Sequence, residues 1–443
     1  CGLLFFATTV NYLDRQVLSL LQPTLAQIFG WTNSDYANIT AVFQFTYGIA
    51  VIFAGRLIDR IGTMKGYAIA IVVWSIGAAI HAAVSGIGGA VAPVLAAFGV
   101  VLPISVVGFM VGRFVLAAGE AGNFPAAIKT VGEWFPRKER SLATGIFNSG
   151  ANIGAVLAPL MVPYIATHWG WQTAFIIVGG LGFLWLIFWF IFYDTPEKML
   201  QKGKISLTEY EHITSDREQK ENSQTVENEK VSWFKLLKFR QTWAFFFGKF
   251  FTDGVWWFFL FWLPSYLKNQ YGVEGTQIML PLGVLYSMTM FGSICGGWFP
   301  AFFIKKGMET YSARMTAMLF IALFPLAVLL AQPLGHYSMW FAIILIGIGC
   351  SAHQAWSANI YSTVSDMFPN KAVASITGIG TMAGSLLSGV LIQKIAGALF
   401  DHYQSAGSIS TGYTIVFAYC AVAYLIAWCV MKLLVPKYKA VEL

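Results

Sequence analysis

The residues that could do chemistry in this chain are charged side chains inside long apolar segments. Asp14 and Arg15 are adjacent within the segment Leu3–Leu21, which is long enough to span most of a bilayer's hydrocarbon core. A charge at membrane depth costs several kcal/mol unless it is paired or hydrated, so such residues usually line a substrate or ion pathway. The pattern favours a membrane transporter of anions.

The spacing of the charges indicates separate roles. Arg113 and Glu120 are seven residues apart, so on a helix they share one face about 10 Å apart along the axis. That arrangement suits a cation that binds a carboxylate and a separate proton carrier. Asp14 and Arg15 diverge by about 100° around a helix and cannot both point at one ligand. A guanidinium can hold a sugar carboxylate through two parallel hydrogen bonds, which makes Arg15 or Arg113 a substrate clamp. A purely structural ion pair across the first and fourth helices is the alternative.

A second group of candidates lies in the carboxy-terminal half. Lys249 and Asp253 are four residues apart and are therefore neighbours on one helix face. Two interpretations stay open: they neutralise one another, or Lys249 supplies a second cation for the substrate. His353 could hydrogen-bond sugar hydroxyls or titrate, and the alternative is a histidine satisfied inside a helix bundle.

Neutral donors and acceptors could recognise hydroxyl groups. Each set shares a helical face or nearly so, although the same residue types also bond helices to one another in lipid. The candidates are Gln44, Tyr47, Asn148, Asn152, Gln354, Ser357, Thr377 and Thr381.

Composition defines the solvent. The 443 residues are 57% hydrophobic and 11% charged, which excludes a water-soluble protein of this size. The net charge of +7 lies mostly at helix ends and in loops, where membrane orientation explains it better than nucleic-acid binding. The five cysteines are scattered and are interpreted as small hydrophobes. Because no nucleotide loop, nucleophile arrangement or metal-ligand cluster is found, we expect no enzyme activity and no cofactor besides a coupling ion.

Apolar segments of about 20 residues predict an all-α membrane protein with twelve transmembrane helices. They comprise residues 2–25, 36–57, 66–86, 101–127, 141–164, 172–193, 241–266, 277–303, 311–331, 338–361, 374–398 and 412–433. The uncharged stretch Ile87–Val100 either extends the third or fourth helix or re-enters the membrane. Residues 1–193 and 239–443 would each form a six-helix bundle, joined by a solvated cytoplasmic linker over residues 194–238 that includes the mixed-charge run 216–221.

Lysine and arginine alternate along the chain in a way that predicts orientation. The connections after the even-numbered spans carry most of them, whereas the odd-numbered connections hold almost none, with Lys268 as the clear exception. The positive-inside rule therefore places both termini in the cytoplasm.

The two halves of the chain repeat. Phe135-Pro136 and Phe368-Pro369 each follow the fourth span of their half, and a Thr-Gly pair comes at the same distance after both. The offset from Glu120 to His353 equals the offset from Phe135 to Phe368. Parallel repeats of six spans predict two pseudo-symmetric bundles with a substrate site at midplane between them.

Several motifs resemble a known family. The segment Gly55–Gly62 resembles the loop signature of the major facilitator superfamily, and within it the chain is similar to the anion:cation symporters, above all the bacterial hexuronate transporters. The residues that carry this closer resemblance are Asn11–Gln16, Gly119–Pro125, Lys249–Asp253 and Ala352–Ser357.

The resemblance implies import of a sugar-acid anion by proton symport through alternating access, in a monomer of the bacterial inner membrane. Asp14 and Glu120 would be the proton-coupling pair, and Tyr47 is favoured among the neutral residues because it lies in what resembles the cavity-lining second helix. Gly55, Asp59 and Arg60 would form a cytoplasmic gate. Three alternatives stay open. The coupling ion could be sodium, and the substrate could be another organic anion such as an aldonate. The protein could also be a membrane sensor that binds its ligand without translocating it.

Overall fold

In this computed structural model, which describes residues 1–215 and 233–442, the chain is helical, and its connections are short except between residues 193 and 239. Within these described ranges, twelve helical segments have membrane length. They are α1 Gly2–Phe29, α2 Asn33–Ile61, α3 Thr63–Ala97, α4 Ile104–Trp134, α5 Arg137–Trp169, α6 Trp171–Phe192, α7 Arg240–Tyr271, α8 Met279–Lys305, α9 Thr310–Gly335, α10 Met339–Met367, α11 over residues 370–405 and α12 Ile409–Leu434.

Ten of these segments are apolar enough to cross a membrane by length and composition, and the other two are α1 and α7. Charged residues lower the mean hydropathy of both helices. They include Asp14 and Arg15 in α1 and Lys249 and Asp253 in α7. At 28 and 32 residues they are nevertheless long enough, since about 20 helical residues cross a hydrocarbon core of about 30 Å. The prediction of an all-α membrane protein is confirmed.

The uncharged stretch that follows the predicted third span extends α3. A short 3₁₀ turn at His81–Ala83 is followed by a further helix, Val84–Ala97, which continues α3 alongside α4. Its glycines allow α3 and α4 to pack backbone to backbone. A Cβ on Gly88 would lie 2.0 Å from the carbonyl oxygen of Ile104, which is why a side chain is not accommodated there.

Two segments depart from regular α-helix next to charged residues. In α4 a turn interrupts the helix directly after Glu120. In α11 the residues Met382–Gly389 form a π-helix between two α-helical stretches. π-helical segments inside α-helices are frequently found at functional sites.

The connection between α6 and α7 contains short helices at Pro196–Gln201, Leu207–Thr214 and Trp233–Leu236. Asp194 anchors its start through ion pairs with two lysines. Burial by itself would raise the pKa of Asp194, but the hydrogen bond from Lys202, the Thr195 N–H and the charge of Lys198 together hold that pKa below its ordinary value. The mixed-charge run 216–221 lies outside the described residues.

Contacts divide the chain into two compact units. Of the described residues, the first unit comprises 1–17, 46–158 and 168–215, and the second comprises 18–45, 159–167 and 233–442. The second unit therefore includes the end of α1, the beginning of α2 and a short part of α5.

Candidate functional site

The centre of the first unit is an ion pair between α1 and α4. Arg15 Nε donates to Glu120 Oε2 at 2.5 Å, and both side chains are buried, at 3% and 0% exposure. The pair is buried among the helices, so each charge depends on the other for its stability. The ion pair that sequence reasoning held as a structural alternative is therefore present, and it joins one residue expected to bind the anion to one expected to carry the proton.

Aromatic rings and a second guanidinium surround Arg15. Its guanidinium carbon lies 4.6 Å from the ring centre of Tyr47 and 5.0 Å from that of Tyr12. Stacking of this kind holds a guanidinium in one plane. Arg113 Nη2 donates to the Arg15 carbonyl oxygen at 3.2 Å. The second guanidinium therefore contacts the backbone of the residue that carries the first.

Asp14 completes the cluster from the other side of α1. Its side chain is buried, and its Oδ2 has no hydrogen-bond partner among the described residues. It lies within electrostatic reach of Glu120 and Arg113. The first unit thus brings together two guanidinium groups and two carboxyl groups, which we call the charge cluster: Asp14, Arg15, Arg113 and Glu120.

The second unit has an ion pair of its own. Lys249 Nζ lies 2.7 Å from Asp253 Oδ2 on one face of α7, and both residues are buried. The ammonium also lies 4.6 Å from the ring centre of Tyr361. The π-helix of α11 places Gly384 directly on the carboxylate, because a Cβ there would lie 2.0 Å from Asp253 Oδ2. The neutralising arrangement considered for Lys249 is the one present.

His353 is held inside the helices of the second unit. Its Nδ1 lies 2.8 Å from the hydroxyl of Tyr424, and its ring stacks on Trp256 with centroids 5.2 Å apart. It is buried. These contacts are the ones expected of a histidine that is satisfied inside a helix bundle.

The neutral candidates fall into different surroundings. Tyr47 joins the charge cluster, whereas Gln44 belongs to the second unit and packs against Gly389 with both amide atoms buried and unpartnered among the described residues. Asn148 is exposed and Asn152 half-buried. The remaining four are also half-buried: Gln354, Ser357, Thr377 and Thr381.

The predicted gate residues lie at the end of α2. Asp59 pairs with Lys129 at 3.0 Å, although the carboxylate is 74% exposed. Lys129 also donates to the carbonyl oxygen of Ile58. Arg60 is exposed and Gly55 approaches Pro125.

Sequence reasoning did not single out two residues that contact the buried cations, Tyr12 and Tyr361. Each had a signal. Tyr12 belongs to the motif that contains Arg15, and Tyr361 is eight residues after His353, which puts both on one side of α10. Among the described residues there is no cluster of His, Cys, Asp and Glu that could hold a metal ion.

Membrane-length helices that bury charged residues in ion pairs are typical of a polytopic membrane transporter. Residues 4–393 match the Major Facilitator Superfamily, and the chain belongs to this family. Its members are transporters, so the chain is not an enzyme.

Named relatives agree with this assignment. The chain is similar to the hexuronate transporter of Escherichia coli strain K12, with 30% identity over 97% of this chain and 93% of that protein. It is 31% identical to the galacturonate transporter of Dickeya chrysanthemi over 69% of this chain and 81% of that one. In fold it resembles a bacterial homologue of the human lysosomal transporter Spinster, with a TM-score of 0.73 and 16% identity over 98% of this chain and 95% of that one.

Proposed function

We propose that this protein imports a hexuronate anion together with protons by alternating access. The observation that carries the proposal is the charge cluster of the first unit, in which two guanidinium groups and two carboxyl groups are buried together. The names of the two relatives at 30% and 31% identity support the substrate class.

The balance of charge in the cluster explains why an anion and a proton would bind together. With both carboxyls ionised, Arg15 and Arg113 balance Asp14 and Glu120, and the cluster is neutral. An added carboxylate would leave one uncompensated negative charge in a buried site, which is costly. One proton on a carboxyl removes that charge. The expected unit of binding is therefore at least one proton for each monovalent anion.

The Arg15–Glu120 pair supplies the exchange step. A substrate carboxylate takes the place of Glu120 on the guanidinium, where two parallel hydrogen bonds can form. The displaced Glu120 carboxyl loses its counter-ion and takes up a proton. Protonation and occupancy are thereby linked, and neither the anion alone nor the proton alone is favoured. Asp14, also buried beside Glu120, is the second carrier in this scheme.

The remaining candidates are assigned supporting roles. Tyr47 orients the Arg15 guanidinium and is available to a sugar hydroxyl, and Lys249 contributes a cation once the substrate draws it from Asp253. Gly55, Asp59 and Arg60 act in the cytoplasmic gate. We further propose a monomer of the bacterial inner membrane with both termini in the cytoplasm, which needs no cofactor besides the coupling proton.

Reconstituted vesicles test the coupling ion. We expect an inwardly directed proton gradient to drive accumulation of D-galacturonate or D-glucuronate, and a protonophore to abolish it. Uptake that follows a sodium gradient and ignores a pH gradient would overturn proton coupling.

A competition panel tests the substrate class. Unlabelled hexuronates are expected to suppress uptake of labelled D-galacturonate more strongly than aldonates at equal concentration. Suppression by aldonates with none by either hexuronate would replace the hexuronate assignment with an aldonate one. Binding in detergent without accumulation in vesicles would indicate a sensor.

A further inference from the structure

A polar cavity lies in the second unit, where α1 ends, α2 begins and α7 and α11 end. Neither the charge cluster nor the Lys249–Asp253 pair contributes a lining residue. Its volume is about 240 Å³, which corresponds to about eight water molecules at roughly 30 Å³ each. That space admits one monosaccharide acid. Six of the lining residues carry the argument: Gln22, Gln27, Trp31, Lys268, Asn269 and Gln404.

Lys268 gives this cavity a cation. It is the residue that departs from the alternation of basic residues along the chain, so membrane orientation does not account for it. Its ammonium donates to the carbonyl oxygen of Pro23 at 3.1 Å and lies 2.8 Å from Glu274 Oε2. An ammonium has three donors, and these two contacts leave room for a ligand carboxylate. Because Glu274 is half-exposed, its ion pair is weak enough for a second carboxylate to share the ammonium.

Side-chain amides give the cavity groups that suit hydroxyls. Gln22 accepts a hydrogen bond from Ser265, and Gln404 accepts one from Asn33 at 2.7 Å. Asn269 donates to a tyrosine hydroxyl at 2.9 Å. Each of these amides therefore uses one polar end to fix the wall of the cavity, while an amide has both a donor and an acceptor end. The other end can meet a sugar hydroxyl.

Trp31 closes one side with an aromatic surface. It is 8% exposed and stacks on Phe29 with ring centroids 5.6 Å apart, so its position is fixed by packing. A flat apolar wall beside convergent polar groups is typical of small-molecule sites. One cation, several amides and one aromatic ring match a small ligand with one carboxylate, many hydroxyls and an apolar ring face.

We infer that this cavity is a second binding site for a monomeric sugar acid, separate from the charge cluster. The two sites share no residue, since the charge cluster belongs to the first unit and the cavity to the second. The inference rests on the proposed function for its ligand class, and under the proposed topology the site opens to the outside of the cell. It would concentrate the anion where α2 begins.

Binding of D-galacturonate to the full-length protein in detergent tests this site, measured by titration calorimetry and by saturation-transfer NMR. Arg15→Ala removes the proposed clamp of the charge cluster, and we expect this variant to keep a weaker, saturable site. Adding Lys268→Met to it should weaken the remaining binding at least tenfold, which is the loss expected for one charge-assisted hydrogen bond. Gln27→Leu, which changes an exposed lining amide, should weaken it as well without touching the Lys268 contacts.

Lys394→Met is the matched control. Lys394 is exposed on α11, about three helical turns before Gln404, and pairs with Asn38 outside the cavity lining, so its loss should leave the remaining binding unchanged. The inference is overturned if Arg15→Ala binds no D-galacturonate at millimolar concentration, or if its binding ignores both Lys268→Met and Gln27→Leu. If vesicles fail to accumulate hexuronates but Lys268-dependent binding persists, the proposed function fails and the second site stands.

Discussion

Arg15 is the residue on which the proposed chemistry depends. Its guanidinium contacts a carboxylate and two aromatic rings, and its carbonyl oxygen accepts a hydrogen bond from Arg113 of α4. A guanidinium held in this way is pre-oriented for a planar carboxylate, so little conformational freedom is lost when the substrate binds. In the proposed scheme, its partner Glu120 makes the same site sensitive to protons. We propose different roles for the adjacent residues Asp14 and Arg15 because they leave α1 in different directions.

Asp14→Asn imitates the protonated carboxyl permanently. We expect accumulation driven by a pH gradient to fall to the level of protein-free vesicles, while exchange of labelled for unlabelled substrate continues. The reason is that, without the Asp14 charge, Glu120 and the bound anion together balance Arg15 and Arg113, so the anion binds without a proton. Glu211→Gln removes an exposed carboxyl from a short connecting helix and should change neither assay. Proton-driven accumulation by Asp14→Asn would refute the coupling role.

Arg15→Ala should weaken D-galacturonate binding to the charge cluster at least tenfold, since one charge-assisted, bidentate contact is lost. This substitution also leaves Glu120 buried without its partner, which costs about 3–5 kcal/mol of stability. The double variant Arg15→Ala with Glu120→Gln separates the two effects. Its thermal midpoint should recover toward the native value while transport stays lost; recovery of both would make the ion pair purely structural.

At the scale of helices, the irregular segment of α11 packs against the ion pair of α7. The π-helix Met382–Gly389 presents a bare backbone to Asp253 at Gly384 and to Gln44 at Gly389. A Cβ at Gly384 would overlap the Asp253 carboxylate, whereas a Cβ at Gly389 would lie 3.0 Å from Gln44 Oε1 and would require a smaller shift. The position of Asp253 therefore depends on the absence of a side chain at Gly384.

Gly384→Ala should displace the Asp253 carboxylate and separate it from Lys249. We expect proton-driven uptake to fall about tenfold or more, the effect of about 1.4 kcal/mol, together with a lower thermal midpoint in detergent. Gly297→Ala is the matched substitution, because a Cβ there meets nothing within 4 Å. Equal uptake by the two variants would show that the position of Asp253 does not matter.

Asp401 of α11 caps the beginning of α2 within the second unit. Its two carboxylate oxygens accept hydrogen bonds from the backbone N–H groups of Asn33 and Ser34 at 2.8 and 2.9 Å. A carboxylate at a helix amino terminus is favoured by both the unpaired N–H groups and the helix dipole. This contact is a tertiary cap, supplied by one helix to another.

Asp401→Asn should therefore raise amide hydrogen exchange both in residues 33–45 and in residues 390–405, because each segment loses a shared contact. Asp35→Asn is the control. Asp35 accepts from Thr32 in its own segment, so its effect should stay near residues 32–36. Exchange that rises only in α2 after Asp401→Asn would contradict a link between the helices.

At the scale of the whole molecule, the alternation of basic connections predicts how the chain crosses the membrane. A carboxy-terminal green fluorescent protein fusion should fluoresce, and a carboxy-terminal alkaline phosphatase fusion should be inactive, because both report a cytoplasmic terminus. Phosphatase fused in the connection that contains Lys268 should be active. The reverse pattern would invert the proposed topology and would place the sugar-acid cavity on the cytoplasmic face.

Much of this protein could be predicted from local features of the chain. Segment length and hydropathy predict the helices, since a bilayer requires about 20 apolar residues per crossing. The cost of charge in lipid singled out Asp14, Arg15 and Glu120 without any contact being known. The spacing of Lys249 and Asp253 predicted that they are neighbours on one helix face, because four residues make about one helical turn.

Contacts between distant segments could not be read in the same way. That Arg15 pairs with Glu120 rather than with its neighbour Asp14, that Gly384 lies on Asp253, and that Asp401 caps α2 all depend on how helices far apart in the chain pack together. The same holds for the cavity beside Lys268, whose walls come from four helices. Helical periodicity assigns a residue to a face, whereas only packing in three dimensions assigns that face a neighbour.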